Sequence, residues 1–273
     1  MAGLAASTFA VSVVASKAQT STLAAQDTSV QVDLNYGQLV DWQVGGVNQL
    51  ASQSFWYSAG SGAVNSISSI SPWSTPTLTG GNNPTLTETY ANGAVSVETI
   101  YTLESYPNGS GQAGLGTTIQ LENTGPTSQT FHFYQYSDFT LGGVSGNQSV
   151  MFPGKNPPYP VEQTGNGGIM TGLITGVSGG SADSVEEVAG VIDGTQFGLG
   201  NGNNTATTFN DTSLTATGSV DFAYEFTATL GSGQTVTISE IQTVPEPATV
   251  ALAVAGALGM GVLRGRRLVF LKK

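Results

Sequence analysis

Few residues of this chain have the type and spacing to do chemistry. His132 is its only histidine, so imidazole catalysis would need an orienting acid and a nucleophile brought from elsewhere. Asp138 lies six residues on, a spacing that implies no contact, and an aromatic strand makes His132 a packed or hydrogen-bonded residue. With one histidine and no cysteine, neither a histidine-rich nor a thiolate metal site is available. Paired carboxylates could hydrolyse a glycoside, one kept protonated and one ionised. Glu186 and Glu187 are adjacent and point oppositely on a strand, while Glu98 and Glu104 share a face but sit too far apart along it. Asp193, Asn201, Asn203 and Asp211 could offer oxygens to calcium. They match no calcium-loop spacing, and the turn preferences of Asn, Asp and Gly account for them. No catalytic residue, metal or cofactor is therefore assigned, and the expectation is a protein that is not an enzyme.

Aromatic residues offer a different chemistry. Trp42, Phe55, Trp56, Tyr57 and Trp73 gather in the amino-terminal third. Exposed Trp and Tyr rings can stack on sugar faces, which makes Trp42, Trp56, Tyr57 and Trp73 the candidate glycan contacts. Core packing is the ordinary fate of such rings. Phe55-Trp56-Tyr57 alternates, so one member of the run faces away from a core that covers only one side.

The elements that must position these side chains are strands. Alternation of period two recurs, and long helical periodicity is absent. From Ser219 to Leu230, Val220, Phe222, Tyr224, Phe226, Ala228 and Leu230 share one face, with Asp221, Ala223, Glu225, Thr227 and Thr229 on the other. Gly231-Ser232-Gly233 turns the chain, and Gln234 to Thr243 continues with Val236 and Ile238 on one side. Ala94 to Glu104 alternates with Val95, Val97, Tyr101 and Leu103 inward, and Leu115, Thr117, Ile119 and Leu121 form a further face. Phe131 to Tyr136 is aromatic on both sides and predicts a central, doubly covered strand. Earlier strands are expected at Val30 to Asn35, Leu39 to Val44, Ser54 to Ser58 and Thr85 to Tyr90. Gly142 to Pro160 and Gly176 to Asn210 read as loop-rich tracts. The prediction is an all-β chain folded as a β-sandwich or jelly-roll-like double sheet.

All eighteen acidic residues lie between Asp27 and Glu246, against Lys155 as the single base in that span. Such a surface repels phosphate, so nucleic acid is excluded as a partner. At the amino end, Leu4 to Ala15 is apolar and Ser16-Lys17-Ala18 fits a small-x-small cleavage site, although no basic residue precedes Leu4. This predicts a signal peptide over 1–18 and an exported body over 19–243.

The last thirty residues have an order of their own. Val244, Pro245, Glu246 and Pro247 precede sixteen uncharged residues from Ala248 to Leu263, and then Arg264, Arg266 and Arg267. The prolines predict an exposed, non-helical strap. The apolar run is short for a span of about 20 residues, but the arginines can snorkel to the headgroups. They also place the carboxyl end on the cytoplasmic side. This order resembles the PEP-CTERM sorting signal, apart from six further residues, Leu268 to Lys273, after the arginines. The resemblance implies recognition of Val244 to Pro247 by an exosortase-type processing enzyme, with Arg264, Arg266 and Arg267 as stop signal. It further implies a sorting segment over 244–273 with a transmembrane helix at about 248–263, a transient stay in the inner membrane, and delivery to the cell surface or extracellular matrix. There the expectation is a structural or adhesive protein of the exopolysaccharide matrix or biofilm. A carbohydrate-binding module that contacts polysaccharide is the alternative, and a secreted glycoside hydrolase stands behind both.

Overall fold

The computed structural model describes residues 19–245, except 72, 73, 75, 105, 107–111, 155–158, 166, 167, 180 and 192–214; for 181–191 and 245 it describes the backbone alone. The apolar run 248–263, the arginines, the amino-terminal segment and the Asp193–Asp211 tract all lie outside the described residues. Among the described residues, no helix is long and apolar enough to cross a membrane.

In chain order the strands begin with β1 (Thr20–Ala25), β2 (Thr28–Asp33), β3 (Gln38–Val44), β4 (Val47–Asn48), β5 (Leu50–Ala59) and β6 (Asn65–Ser66). There follow β7 (Thr77–Thr79), β8 (Thr85–Ala91), β9 (Ser96–Glu104), β10 (Gln112–Glu122), β11 (Gln129–Phe139) and β12 (Gln148–Met151). The last are β13 (Tyr159–Gly165), β14 (Gly168–Ser178), β15 (Ser181–Val191), β16 (Thr215–Gly218), β17 (Val220–Leu230) and β18 (Thr235–Pro245). They form two antiparallel sheets. The first runs β1-β2-β3-β5-β11-β17-β15, with β4 beside β3 and β6 beside β5. The second runs β16-β12-β13-β14-β18-β10-β9-β8-β7. The expected all-β double sheet is what the chain builds.

Period-two alternation places the core between the sheets. Val97, Tyr101 and Leu103 on β9 and Leu115, Ile119 and Leu121 on β10 are buried from one side, and Phe133, Phe139, Phe222 and Tyr224 from the other. Phe139 stacks on Phe222 with ring centres 6.0 Å apart, and Phe152 meets Phe222 edge-on at the same distance. Each such ring removes a large apolar area from water, the main favourable contribution to folding.

Between the sheets there are also polar side chains at inward positions. Gln135 on β11 donates to the Glu240 carboxylate on β18, bridging the two sheets, and Gln242 Nε2 donates to the other oxygen of Glu240 at 3.1 Å. Gln53 Nε2 donates to Ser137 Oγ at 3.1 Å. Tyr90 on β8 donates to the Leu34 carbonyl of the opposite sheet at 3.2 Å and lies 3.1 Å from Glu88 Oε2. Burial pushes both carboxyls up: Glu88 to about 7 and Glu240 to about 7.

Three expectations need correction. Strand β15 and the end of β14 occupy part of the Gly176–Asn210 tract read as loop, and β12 lies inside Gly142–Pro160. Short polar letters do not forbid a strand when a neighbour such as β17 supplies its hydrogen bonds. Gly179, at the passage from the second sheet to the first, has φ +87°, and a Cβ there would stand 2.3 Å from the Thr235 carbonyl oxygen. Only glycine fits. Finally, Val244 is not part of an exposed strap. It pairs with Ala113 in β18 and is 1% exposed, while Pro245 pairs with Gln112. The extended backbone expected of this segment is present, but sheet pairing carries Val244 into the core.

Candidate functional site

Strand β5 sorts the candidate glycan contacts onto opposite faces. Phe55 points into the core and is buried, Trp56 points to the outer face of the first sheet, and Tyr57 returns to the inner face. Trp56 and Tyr57 are both half-buried. They cannot form one stacking platform. Trp42, on β3, is fully buried and packs edge-on against Phe139 with ring centres 6.3 Å apart. The expectation of Trp42 as a glycan contact is therefore wrong: its alternation phase puts it in the core. Trp73 lies outside the described residues.

The outer face of the first sheet around Trp56 is unusually rich in polar groups for a covered surface. Trp56 Nε1 donates to Ser54 Oγ at 3.2 Å, and its ring packs on a small cluster of Val64, Tyr134, Tyr136 and Ala223. In the neighbouring rows, Tyr134 pairs in register with Trp56 on one side and Glu225 on the other. His132 Nδ1 lies 2.7 Å from Glu225 Oε1 and 3.2 Å from Thr227 Oγ1. Glu225 is 1% exposed, and the His132 side chain 19%. Burial first, then the Glu225 charge and its hydrogen bond, push the Tyr134 hydroxyl well above the usual phenol range. One row further, Tyr136 donates to Asp221 Oδ2 at 2.9 Å, and burial followed by the nearby Asp221 charge raises Asp138 to about 6.

The acid beside His132 is thus Glu225, ninety-three residues away, and not Asp138. Asp138 lies close enough to Asp221 to feel its charge, as Glu88 does that of Asp33. Neither Glu98 nor Glu104 joins them: Glu98 accepts from Thr89 Oγ1 at 3.3 Å on the second sheet. Nothing in the sequence marks these partners, because strand order decides which rows meet. Chemically, Glu225 fixes the imidazole by its Nδ1, an arrangement able to orient a proton carrier. Among the described residues no hydroxyl is held at hydrogen-bond distance of His132 Nε2.

A second concave place lies at one end of the sandwich. Tyr57, Val95, Phe131, Asn92, Asn123 and Gln129 are among the residues lining a cavity of about 280 Å³. Asn123 closes this end: its backbone N–H donates to the Gln234 carbonyl at 3.0 Å, and Gly233 N–H donates to its carbonyl at 2.7 Å. The cavity therefore sits where β18 begins. Val244 and Pro245, the tenth and eleventh residues of that strand, lie at the opposite end of the sandwich.

No family model matches the chain, and no curated protein matches it. Among solved structures it is similar to a bacterial glucoamylase complexed with acarbose (10% identity, TM-score 0.49, covering 90% of this chain and 37% of that one). A protein from Escherichia coli described as an aldose 1-epimerase is similar at 12% identity and TM-score 0.46, with 84% of this chain and 99% of that chain covered. A structural-genomics protein from Synechocystis is similar at 10% identity and TM-score 0.48, with 88% of this chain and 100% of that chain covered. The chain spans little more than a third of the glucoamylase. At these identities and scores the likenesses assign neither a site nor a function.

Proposed function

We propose that this chain is an exported protein of the cell surface or exopolysaccharide matrix, structural or adhesive in role and not an enzyme. Its carboxyl-terminal segment sorts it through a transient stay in the inner membrane, where an exosortase-type enzyme processes it at Pro245-Glu246-Pro247, beyond the buried Val244. The observation that carries the reading is the order of that segment: Pro245-Glu246-Pro247, an uncharged run, then Arg264, Arg266 and Arg267. The acidic body, with Lys155 its one base between Asp27 and Glu246, suits a soluble surface protein and no polyanionic partner. The test replaces Pro245, Glu246 and Pro247 with alanine. The apolar run and arginines are untouched, so insertion persists, and the variant accumulates full length in the inner membrane while the wild type is shortened by its tail. Wild-type protein found intact through Lys273 in the surface or medium fraction overturns the sorting reading.

A second reading, direct binding of polysaccharide, is favoured by Trp56, which is only partly buried beside polar groups on the outer face. Retention of the folded body by extracted matrix polysaccharide tests it, and passage of the body through that material without delay removes it.

A further inference from the structure

We propose that the cavity at the β18-start end of the sandwich is a subsite for a single ring of a neutral saccharide. This rests on the polysaccharide-binding reading of the body and deepens it by naming where one sugar residue sits. The volume, about 280 Å³, falls at the low end of small-molecule sites, which run from about 300 to 1,000 Å³. It suits one ring and not an extended chain.

The lining has the composition such a ring requires. Phe131 and Val95, both buried, give an apolar floor, and Tyr57 adds a half-buried aromatic wall. Asn123 is consumed by structure: its Nδ2 donates to the Thr127 and Leu230 carbonyls at 2.8 Å each, and its Oδ1 accepts from Gly125 N–H at 3.0 Å. That bonding holds the loop between β10 and β11 rigid and makes a fixed wall. Asn92 is fixed in the same way through its Oδ1, which accepts from the Ala94 and Val95 N–H groups at 2.8 and 3.0 Å. Its Nδ2 is left with no partner among the described residues. Gln129 donates through Nε2 to the Thr130 carbonyl at 3.4 Å, and its Oε1 has no donor there. The Tyr57 hydroxyl likewise makes no hydrogen bond among the described residues.

Three uncommitted polar groups, a hydroxyl, an amide donor and an amide acceptor, thus border an apolar floor. Sugar rings present that division themselves: C–H faces that stack on aromatics, and hydroxyls around the edge that both donate and accept. Among the described residues no Asp, Glu, Lys or Arg lines the cavity, so none of them neutralises a uronate or phosphate, and the acidic body repels both. Hence the ligand is neutral.

The experiment uses the exported body with glucose, galactose, mannose and N-acetylglucosamine as separate probes and glucuronate as the charged control. Binding is read by saturation-transfer NMR, with folding checked by thermal melting. The expected result is transfer to at least one neutral sugar and not to glucuronate. Tyr57→Ala and Gln129→Leu then each weaken binding about tenfold, while Ile169→Ala, exposed at the start of β14 and far from the cavity, leaves it unchanged. Should Tyr57→Ala fail to fold, Gln129→Leu decides. Binding that falls with Trp56→Ala but survives both cavity variants overturns the subsite and keeps the polysaccharide reading. Retention on matrix polysaccharide with none of the four sugars bound does the same. If the body binds neither sugar nor polysaccharide, both fall.

Discussion

His132 Nδ1 lies 2.7 Å from Glu225 Oε1 across the β11–β17 pair, joining the one histidine to a carboxylate that is almost wholly buried. A buried acceptor that loses a donor retains its desolvation cost without the compensating bond. His132→Ala should therefore lower stability by about 1–3 kcal/mol, seen as a lower urea midpoint. A double-mutant cycle with Glu225→Ala should give a coupling energy above about 0.5 kcal/mol; additive losses would show that the contact contributes nothing.

Strand β17 is covered on both faces through Phe226. Phe222→Asp buries a carboxylate in the main core and Ala223→Asp buries one in the smaller outer cluster. Both should cost several kcal/mol, enough to unfold a typical domain. Thr227→Asp, at a half-buried position, should cost less than about 1 kcal/mol. Comparing the melting temperatures of the three variants checks this, and a stable Ala223→Asp would show that the outer cluster is open to water.

How legible was this from the sequence? The inward face of β17 and those of β9 and β10 are readable because Val, Phe, Tyr and Leu recur at every second residue. The double cover of β17 is not, since Asp221 and Glu225 look like solvent-facing letters. They are buried because Tyr136 and His132, on a strand eighty or more positions earlier, bring their donors to them. Gln135 and Glu240 are inward for the same reason, being 105 residues apart and joined only when the sheets face each other. Strand β15 is not legible because its valines, Val185, Val188 and Val191, recur at every third residue and not at every second. The place of Trp42 is not legible because composition alone does not tell which phase of an alternation faces inward. The end cavity has no sequence signal beyond Tyr57, since Asn92 and Gln129 meet there only once the strands are paired.

Glu88 and Glu240 make stability fall with rising pH. Each is raised from 4.5 to about 7 by burial, so between those values the folded chain binds more protons than the unfolded one. The contribution of the neutral carboxyls is fully present below about pH 4.5 and is lost as pH rises through about 7. The unfolding free energy should therefore drop between pH 5 and pH 8, by on the order of 3 kcal/mol for each group, and the urea midpoint should fall with it. Glu88→Gln and Glu240→Gln should each flatten part of that slope. A midpoint that stays level across the window would contradict the burial of both.

Gly179→Ala should be among the most damaging single changes. The backbone there has positive φ, and the added methyl would meet the Thr235 carbonyl oxygen at 2.3 Å. Left-handed strain for a non-glycine residue costs about 1–3 kcal/mol, and the clash adds to it. Gly233→Ala provides the comparison, since φ there is also positive but an added Cβ would meet no heavy atom of the described residues within 4 Å, its chain neighbours aside. The two melting temperatures should separate by several degrees, and equal losses would place the whole effect in φ.

Strand β18 lies inside its sheet, bonded to β10 on one side and β14 on the other. Its eleven residues extend roughly 35 Å, from the cavity end to Pro245 at the other. If a ligand is held at the first end and the chain is tethered beyond the second, as proposed above, a pull between them acts along this strand. Its ladder bonds on both sides lie perpendicular to that direction, so they share the load and must fail together instead of parting one after another. A protein tied to a surface by its carboxyl end would carry tension through the part of the fold best arranged to resist it.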